Sequence, residues 1–189
     1  MAILRAATWA HPGFLRWGWV MIFLFASRPT LSAQMTTSAE YQLRAAFLLN
    51  FARFVDFPAK SFSDTNGPLI IGVLGEDPFG SYLDETVRGE KVNGHPLLVQ
   101  RYRRGNDIKS CQVLFISRSE ADRLDQILAS LRGRSILTVG DTDDFNARGG
   151  MIRLAIEKNK VRMHIKPEAA RAANLTISSK LLRLAEIER

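Results

Sequence analysis

Hydrophobic residues along this chain fall into one long helical stretch and several short continuous runs. Residues 41–55 are apolar on almost every face, which predicts a helix with most of its surface buried. Later apolar runs are typical of strands that are buried on both faces of a parallel sheet: residues 69–74, 95–99, 113–116 and 136–139. Helical segments separate several of these runs. The pattern therefore predicts an α/β fold, with a mostly parallel sheet flanked by helices.

The pattern changes near the C-terminus, where residues 152–157 and 161–166 alternate between apolar and polar positions. This alternation predicts an antiparallel β-hairpin with one apolar and one basic face. The basic face either protects a sheet edge against unwanted strand pairing, which we favour, or binds a partner. His164 falls on this face, so a solvated side chain is expected. An amphipathic terminal helix is predicted around residues 181–187.

The first 33 residues have the three-part layout of a signal peptide. Arg5 and Arg16 precede an apolar run at residues 17–26, and small residues then lead to Ala33. The run is shorter than the ~20 apolar residues that a membrane-spanning helix needs. We therefore favour cleavage near Ala33, or near Ser32, over an uncleaved anchor. Residues 34–189 then form a single exported domain.

Charge and cysteine content narrow the class of protein further. The whole chain has a formal net charge of +7, and residues 1–33 contribute three arginines and no acidic residue, so +4 remains on residues 34–189. A mildly basic exported protein does not suggest nucleic acid as a partner. Cys111 is the single cysteine, so no internal disulfide forms, and its place beside an apolar strand predicts burial.

No combination of side chains predicts a catalytic site, a metal site or a cofactor. The glycines after residue 71 lack the spacing of a dinucleotide-binding loop, and His95 and His164 lack the spacing of metal ligands. Asp141 and Asp143 are the best candidates for chemistry, because two aspartates after a strand are able to bind Mg²⁺ beside a phosphoryl group. We favour the alternative that one of them caps a short helix.

A set of short motifs gives the chain a family resemblance. The motifs are AAFLLNFARFVDFP at 45–58, GVLG at 72–75, DPFG at 77–80, CQVLFIS at 111–117, LTVGD at 137–141, GGMI at 149–152 and ISSKLLRLA at 177–185. In this order they resemble the YfiR-like periplasmic proteins. The resemblance covers nearly all of residues 34–189.

The resemblance implies a periplasmic α/β sandwich without enzymatic activity or cofactor. Such a protein binds the periplasmic part of an inner-membrane diguanylate cyclase and represses it, and release of the repression raises cyclic-di-GMP and favours biofilm. A homodimer and the sensing of a small molecule are also implied. Phe57 stands where family members often have Trp. Gly72 stands where some have a cysteine that bridges the residue matching Cys111, so that redox control is not expected here.

The candidate binding residues come from these motifs and from nearby turns. They are Arg53, Asp56, Phe57, Pro58, Asp77, Phe79, Arg148 and Ser178. Each has an ordinary structural role as its alternative. Two other classes of function stay open. One is a periplasmic small-ligand sensor with a cleft at the carboxyl ends of the strands. The other is a Mg²⁺-dependent phosphohydrolase that uses Asp141 and Asp143.

Overall fold

The computed structural model describes residues 37–64 and 66–188, and the predicted signal peptide at residues 1–33 lies outside the described residues. The helices are α1 (Thr37–Phe54), α2 (Ser81–Val87), α3 (Leu124–Ser130), α4 (Pro167–Ala172) and α5 (Ser179–Leu182), with 3₁₀ segments at Ala59–Ser61, Gly105–Asp107 and Arg118–Arg123. The strands are β1 (Val55–Asp56), β2 (Leu69–Leu74), β3 (Lys91–Val92), β4 (His95–Tyr102), β5 (Val113–Ile116), β6 (Leu137–Gly140), β7 (Ile152–Glu157), β8 (Lys160–Ile165), β9 (Thr176–Ile177) and β10 (Glu186–Ile187).

The strands of the described residues form a large sheet in the order β10-β8-β7-β6-β5-β2-β4-β3, and β1 pairs separately with β9. From β4 to β7, neighbouring strands in this order are parallel. β7 and β8 form the predicted antiparallel hairpin, and its turn residues Lys158 and Asn159 have φ values of 50° and 61°, as a type I′ turn requires. The mostly parallel α/β fold predicted from the apolar runs is confirmed.

The apolar runs are continuous because both faces of the sheet are covered. Along β5, Val113 and Phe115 belong to a core that includes residues of α1 and α2. Leu114 and Ile116 belong to a second core that includes residues of α3. Each of the four side chains is at most 1% exposed. None of the described helices combines the length and the hydrophobicity that a membrane crossing demands.

The C-terminal segment differs in part from its prediction. A terminal helix is present, but α5 ends at Leu182, and the chain continues into β10, which lies parallel to β8 with Glu186 opposite His164. The amide of Glu188 donates to the carbonyl oxygen of Ile165 at 2.8 Å. His164 is only 7% exposed, so the expected solvated side chain was wrong. The reason is that β10, with Glu186 and the following Glu188, lies beside a strand that we expected to be open to solvent.

The opposite edge of the sheet begins with a hairpin that the apolar pattern did not predict. β3 pairs only with His95 and Pro96 of β4, across a turn in which Asn93 and Gly94 have φ values of 51° and 88°. β4 continues to Tyr102, beyond the predicted end at residue 99. No described strand pairs with the outer edge of β4 after Pro96. The amide of Leu97 still donates to the carbonyl oxygen of Glu90 at 3.1 Å, so residues 98–102 form an open strand edge.

Candidate functional site

A cleft of about 650 Å³ lies at the amino ends of β2 and β4, where Leu69 and His95 begin the two strands. The ring of Phe62 stacks on His95, with the ring centroids 4.0 Å apart and an angle of 11° between the planes. Nδ1 of His95 lies 2.7 Å from the carbonyl oxygen of Gly67, which fixes the imidazole against the wall. The cleft therefore has a rigid aromatic side.

Acidic and apolar side chains complete the lining of this cleft. Asp56 and Asp64 both line it, together with Phe57 and Asn93. Asp56 is exposed, and Phe57 is half-buried. Two carboxylates beside stacked rings favour a ligand or a partner side chain that carries a positive charge on an apolar body.

Two of the predicted residues, Asp56 and Phe57, thus belong to the cleft, and Pro58 adjoins it. Pro58 precedes the 3₁₀ turn Ala59–Ser61 with a φ of −65° and a ψ of 147°. A proline restricts φ to about this value, so it directs the chain from β1 into the turn that carries Ala59 of the cleft wall. The motif at the end of α1 therefore shapes the cleft as well as contributing to it.

Two more predicted residues, Arg53 and Ser178, lie beside this end of α1. Nη2 of Arg53 lies 2.6 Å from Oε2 of Glu90, rather than pairing with Asp56 as the spacing suggested. The amide of Ser178 donates to the carbonyl oxygen of Phe54 at 2.9 Å. The hydroxyl of Ser178 caps α5 by accepting from the amide of Leu181. Residues that are far apart in sequence are thus joined at one surface.

Asp77 and Phe79 lie at the other end of the sheet, after the carboxyl end of β2, a strand about 20 Å long. Phe79 is 1% exposed and packs edge-to-face on Tyr41 and Phe115, so it is a core residue in this structure. Oδ1 of Asp77 accepts from the amide of Phe79 at 2.8 Å. Nε of Arg101 donates to Oδ2 of Asp77 at 2.7 Å. Both residues stabilise the turn into α2.

Arg148 is separate from both of these groups. Its Nε donates to Oδ1 of Asp125 at 2.8 Å, and its Nη1 donates to the carbonyl oxygen of Ala121 at 2.9 Å. The hydrogen bond lowers the pKa of Asp125 and raises that of Arg148. Arg148 therefore connects the loop before β7 to α3 and its preceding turn.

Asp141, at the carboxyl end of β6, has a different role from the predicted helix cap. Its Oδ2 lies 2.6 Å from Nη1 of Arg44 and 3.2 Å from the hydroxyl of Tyr41, both on α1. Nη2 of Arg44 lies 2.5 Å from Oε1 of Glu40. Burial and the charge of Asp141 raise the pKa of Tyr41. Asp141 thus binds α1 to the sheet.

The two aspartates that suggested Mg²⁺ chemistry occupy unlike environments. The side chain of Asp141 is 3% exposed and is neutralised by Arg44, whereas that of Asp143 is 86% exposed and lies 3.7 Å from Arg118. A pocket of about 280 Å³ lies here, at the carboxyl end of β6. The small-ligand alternative predicted a cleft at the carboxyl ends of the strands. The larger of these two clefts lies instead at the amino ends. At the carboxyl ends, the side chains of Tyr41, Arg44 and Phe79 pack against the sheet.

Cys111 is buried, as predicted, and burial raises the pKa of its thiol to about 12. A Cβ atom added to Gly72 would lie 2.8 Å from Sγ of Cys111. The two positions that the family resemblance relates are therefore neighbours in space. In this chain the thiol is protonated and enclosed, which makes it unreactive.

Sequence reasoning missed the residues on the far wall of the cleft, namely Phe62, Asp64, Asn93 and His95. Of these, only the Asn93–Gly94 turn had a local signal, because Asn-Gly favours a tight hairpin and so places His95 at the start of a strand. The stacking of Phe62 on His95 depends on packing between distant segments. Such contacts leave no periodic pattern in the sequence.

Fold and site together define a class: a mostly parallel α/β protein with an aromatic and acidic cleft at the amino ends of its central strands. The chain belongs to the YfiR/HmsC-like family, whose model matches residues 41–186. This family is one of periplasmic regulators. No curated protein matches the chain.

Two solved structures are similar to this chain at low sequence identity. A conserved domain protein from Vibrio cholerae O1 biovar eltor aligns with a TM-score of 0.54 and 11% identity, over 79% of this chain and 60% of its own. The ABC domain in complex with L-Trp from Streptococcus pneumonia aligns with a TM-score of 0.48 and 11% identity, over 69% of this chain and 58% of its own. The chain thus spans about three fifths of each, and the first similarity supports the fold alone.

Proposed function

We propose that this protein is a periplasmic regulator that binds the periplasmic sensor region of an inner-membrane diguanylate cyclase and represses the enzyme. Membership of the YfiR/HmsC-like family over residues 41–186 carries this proposal. Control of this kind requires that the regulator bind the inactive state of its partner more tightly than the active state. It requires no chemistry from the regulator itself.

The surface proposed for this partner is the end of α1 with the adjoining cleft. It brings together Arg53, Asp56, Phe57, Pro58 and Ser178, and it combines exposed charge with half-buried apolar surface. An arginine beside an apolar contact is typical of residues that contribute strongly at interfaces. Asp77, Phe79 and Arg148 lie elsewhere and have internal partners, so we assign them structural roles.

The test is crosslinking from the periplasmic side of the inner membrane, combined with measurement of cyclic-di-GMP in a deletion strain. We expect a diguanylate cyclase among the crosslinked proteins and a rise in cyclic-di-GMP on deletion. Complementation with Asp56→Lys should not restore repression, whereas the exposed control Glu85→Lys on α2 should restore it. Recovery of no membrane signalling protein, with unchanged cyclic-di-GMP, would contradict the proposal.

A second candidate function, a small-ligand sensor, is favoured by the cleft itself. The stacked pair Phe62 and His95 suits an aromatic ring, while Asp56 and Asp64 suit an amine and repel phosphate. Calorimetry should then detect binding of aromatic amino acids to the protein and no binding of mononucleotides. Binding should weaken in Asp56→Asn, and binding of neither class would remove this candidate.

We further propose that the chain is exported with cleavage near Ala33 and that it acts as a homodimer. The apolar run at residues 17–26 and the family resemblance support these two points. N-terminal sequencing of the protein recovered from the periplasm tests the first. Light scattering of the purified protein tests the second. We expect the mass of a dimer, and the mass of a monomer would contradict the proposal.

A further inference from the structure

His164 is surrounded by carboxylates at the β8–β10 edge of the sheet. Its Nε2 lies 2.8 Å from Oε1 of Glu157, and its Nδ1 lies 3.2 Å from Oε1 of Glu188 and 3.7 Å from Oε2 of Glu186. The side chain of His164 is 9% exposed. Both nitrogens of this buried imidazole thus face carboxylates. Nε2 faces Glu157, and Nδ1 faces Glu186 of β10 and the nearby Glu188.

The charges around His164 do not balance. Nη2 of Arg153 lies 4.0 Å from Glu157 and 4.0 Å from Glu188, so one guanidinium is shared by the group. The three carboxylates carry more negative charge than the one guanidinium offsets. Like charges held close together repel, and partial burial weakens the screening by water. A bound cation would offset this repulsion.

We propose that Nδ1 of His164 and the carboxylates of Glu186 and Glu188 bind a zinc ion. In a tetrahedral zinc site, metal–ligand distances of about 2.0–2.2 Å place neighbouring ligand atoms about 3.4 Å apart. The separations of 3.2 Å and 3.7 Å between Nδ1 and the two carboxylate oxygens lie on either side of that value. A mixed imidazole and carboxylate donor set suits zinc better than Mg²⁺ or Ca²⁺, which prefer oxygen ligands alone.

Glu157 supplies the outer partner that a zinc-binding histidine needs. Such a histidine usually donates its second ring N–H to a carboxylate, which fixes the tautomer and the orientation of the ring. With Nε2 protonated, His164 donates to Glu157, and the lone pair of Nδ1 faces Glu186 and Glu188. One ligand atom from each of Glu157, His164 and Glu186 lies within 4.8 Å of the other two.

Zinc at this position would fasten the C-terminal strand to the sheet. β10 has two residues, both exposed, so backbone pairing with β8 provides most of its attachment. The amide of Glu188 donates a hydrogen bond to the carbonyl oxygen of Ile165, at the end of the pairing between β10 and β8. Its hydrogen exchange therefore reports whether β10 is held.

The test is titration of Zn²⁺ into the purified, untagged protein after treatment with a chelator, followed by calorimetry. We expect one zinc ion per chain. The double variant Glu186→Gln/Glu188→Gln should lower the affinity by at least about tenfold. In the wild type, zinc should also slow hydrogen exchange in the peptide that contains Glu188, and the double variant should lose this effect.

Glu168→Gln is the matched control, because Glu168 is an exposed glutamate on α4 that pairs with Arg171. It should bind zinc as the wild type does. His164→Gln should abolish binding, and if that variant does not fold, the glutamate variants decide the question. Absence of binding at micromolar Zn²⁺, unchanged binding in the double variant, or equal affinity for Mg²⁺ would each overturn the proposal.

Discussion

Nη1 of Arg44 lies 2.6 Å from Oδ2 of Asp141, so an ion pair between residues 97 positions apart joins the first helix to the end of β6. Both side chains are at most 5% exposed. A buried carboxylate whose partner is a guanidinium is a structural group rather than a free metal ligand. The position that first suggested chemistry therefore holds the fold together.

Asp141→Ala should destabilise the protein by about 3 kcal/mol, because it leaves the buried guanidinium of Arg44 without one of its two carboxylates. Asp143→Ala is the control, since Asp143 is 86% exposed, and it should change the free energy of unfolding by less than about 0.5 kcal/mol. Urea denaturation measures both. Equal effects of the two variants would show that the buried pair contributes little.

Gly72→Cys should form a disulfide with Cys111, because a Cβ at position 72 would lie 2.8 Å from Sγ of Cys111. We expect the oxidised variant to be more stable than its reduced form by about 2–4 kcal/mol. The control Gly72→Ala crowds Tyr102 and Leu114 without a new bond and should destabilise by about 1–3 kcal/mol. If thiol titration of Gly72→Cys, oxidised and then unfolded, found two free thiols, the prediction would be wrong.

Cys111 should not react with alkylating reagents while the protein is folded. Its pKa of about 12 and its burial leave almost no thiolate at pH 8 and no access for a reagent. Mass spectrometry should show an unmodified thiol under native conditions and full modification in guanidinium chloride. Rapid modification of the native protein would mean that the core around Cys111 opens readily.

The pair Arg101–Asp84 should make stability depend on pH in the acid range. The hydrogen bond from Arg101 lowers the pKa of Asp84 below its ordinary value of 3.8. The stabilisation is therefore present above the unfolded pKa, and it is lost as the pH falls through the lower pKa of the folded state.

Asp84→Asn should accordingly cost less than about 1 kcal/mol near neutral pH, because the pair is partly exposed and screened by solvent. The difference from the wild type should vanish once the pH is below the folded pKa of Asp84. Glu85→Gln, at an exposed neighbouring position, is the control in the same urea series. A difference that stayed constant from neutral to acid pH would contradict the electrostatic origin.

The central fold followed from the sequence because its strands are buried on both faces. Val113 to Ile116 are all apolar, and a run of that kind has few other stable arrangements. β10 was not predicted, because the leucines at 181 and 184 share a helical spacing with Ile187. Pairing with β8 overrode that local pattern. The burial of His164 followed from this pairing and was missed with it.

The candidate site could be predicted only where its residues are close together in the sequence. Asp56, Phe57 and Pro58 are consecutive and lie together at the cleft. His95 reaches them through sheet order, because β4 lies beside β2 rather than beside its successor in the chain. The group formed by His164 and its carboxylates likewise comes from three separate segments, β7, β8 and the β10 region, so no metal-ligand spacing exists in the sequence.

The open outer edge of β4 has a consequence for how this protein behaves in concentrated solution. Unpaired backbone groups along residues 98–102, with Leu98 52% exposed, offer a template on which another chain is able to add a strand. Arg103 and Arg104 follow directly and are exposed, so two approaching copies repel each other there. Added salt screens that repulsion. Self-association through intermolecular strand pairing should therefore increase with ionic strength.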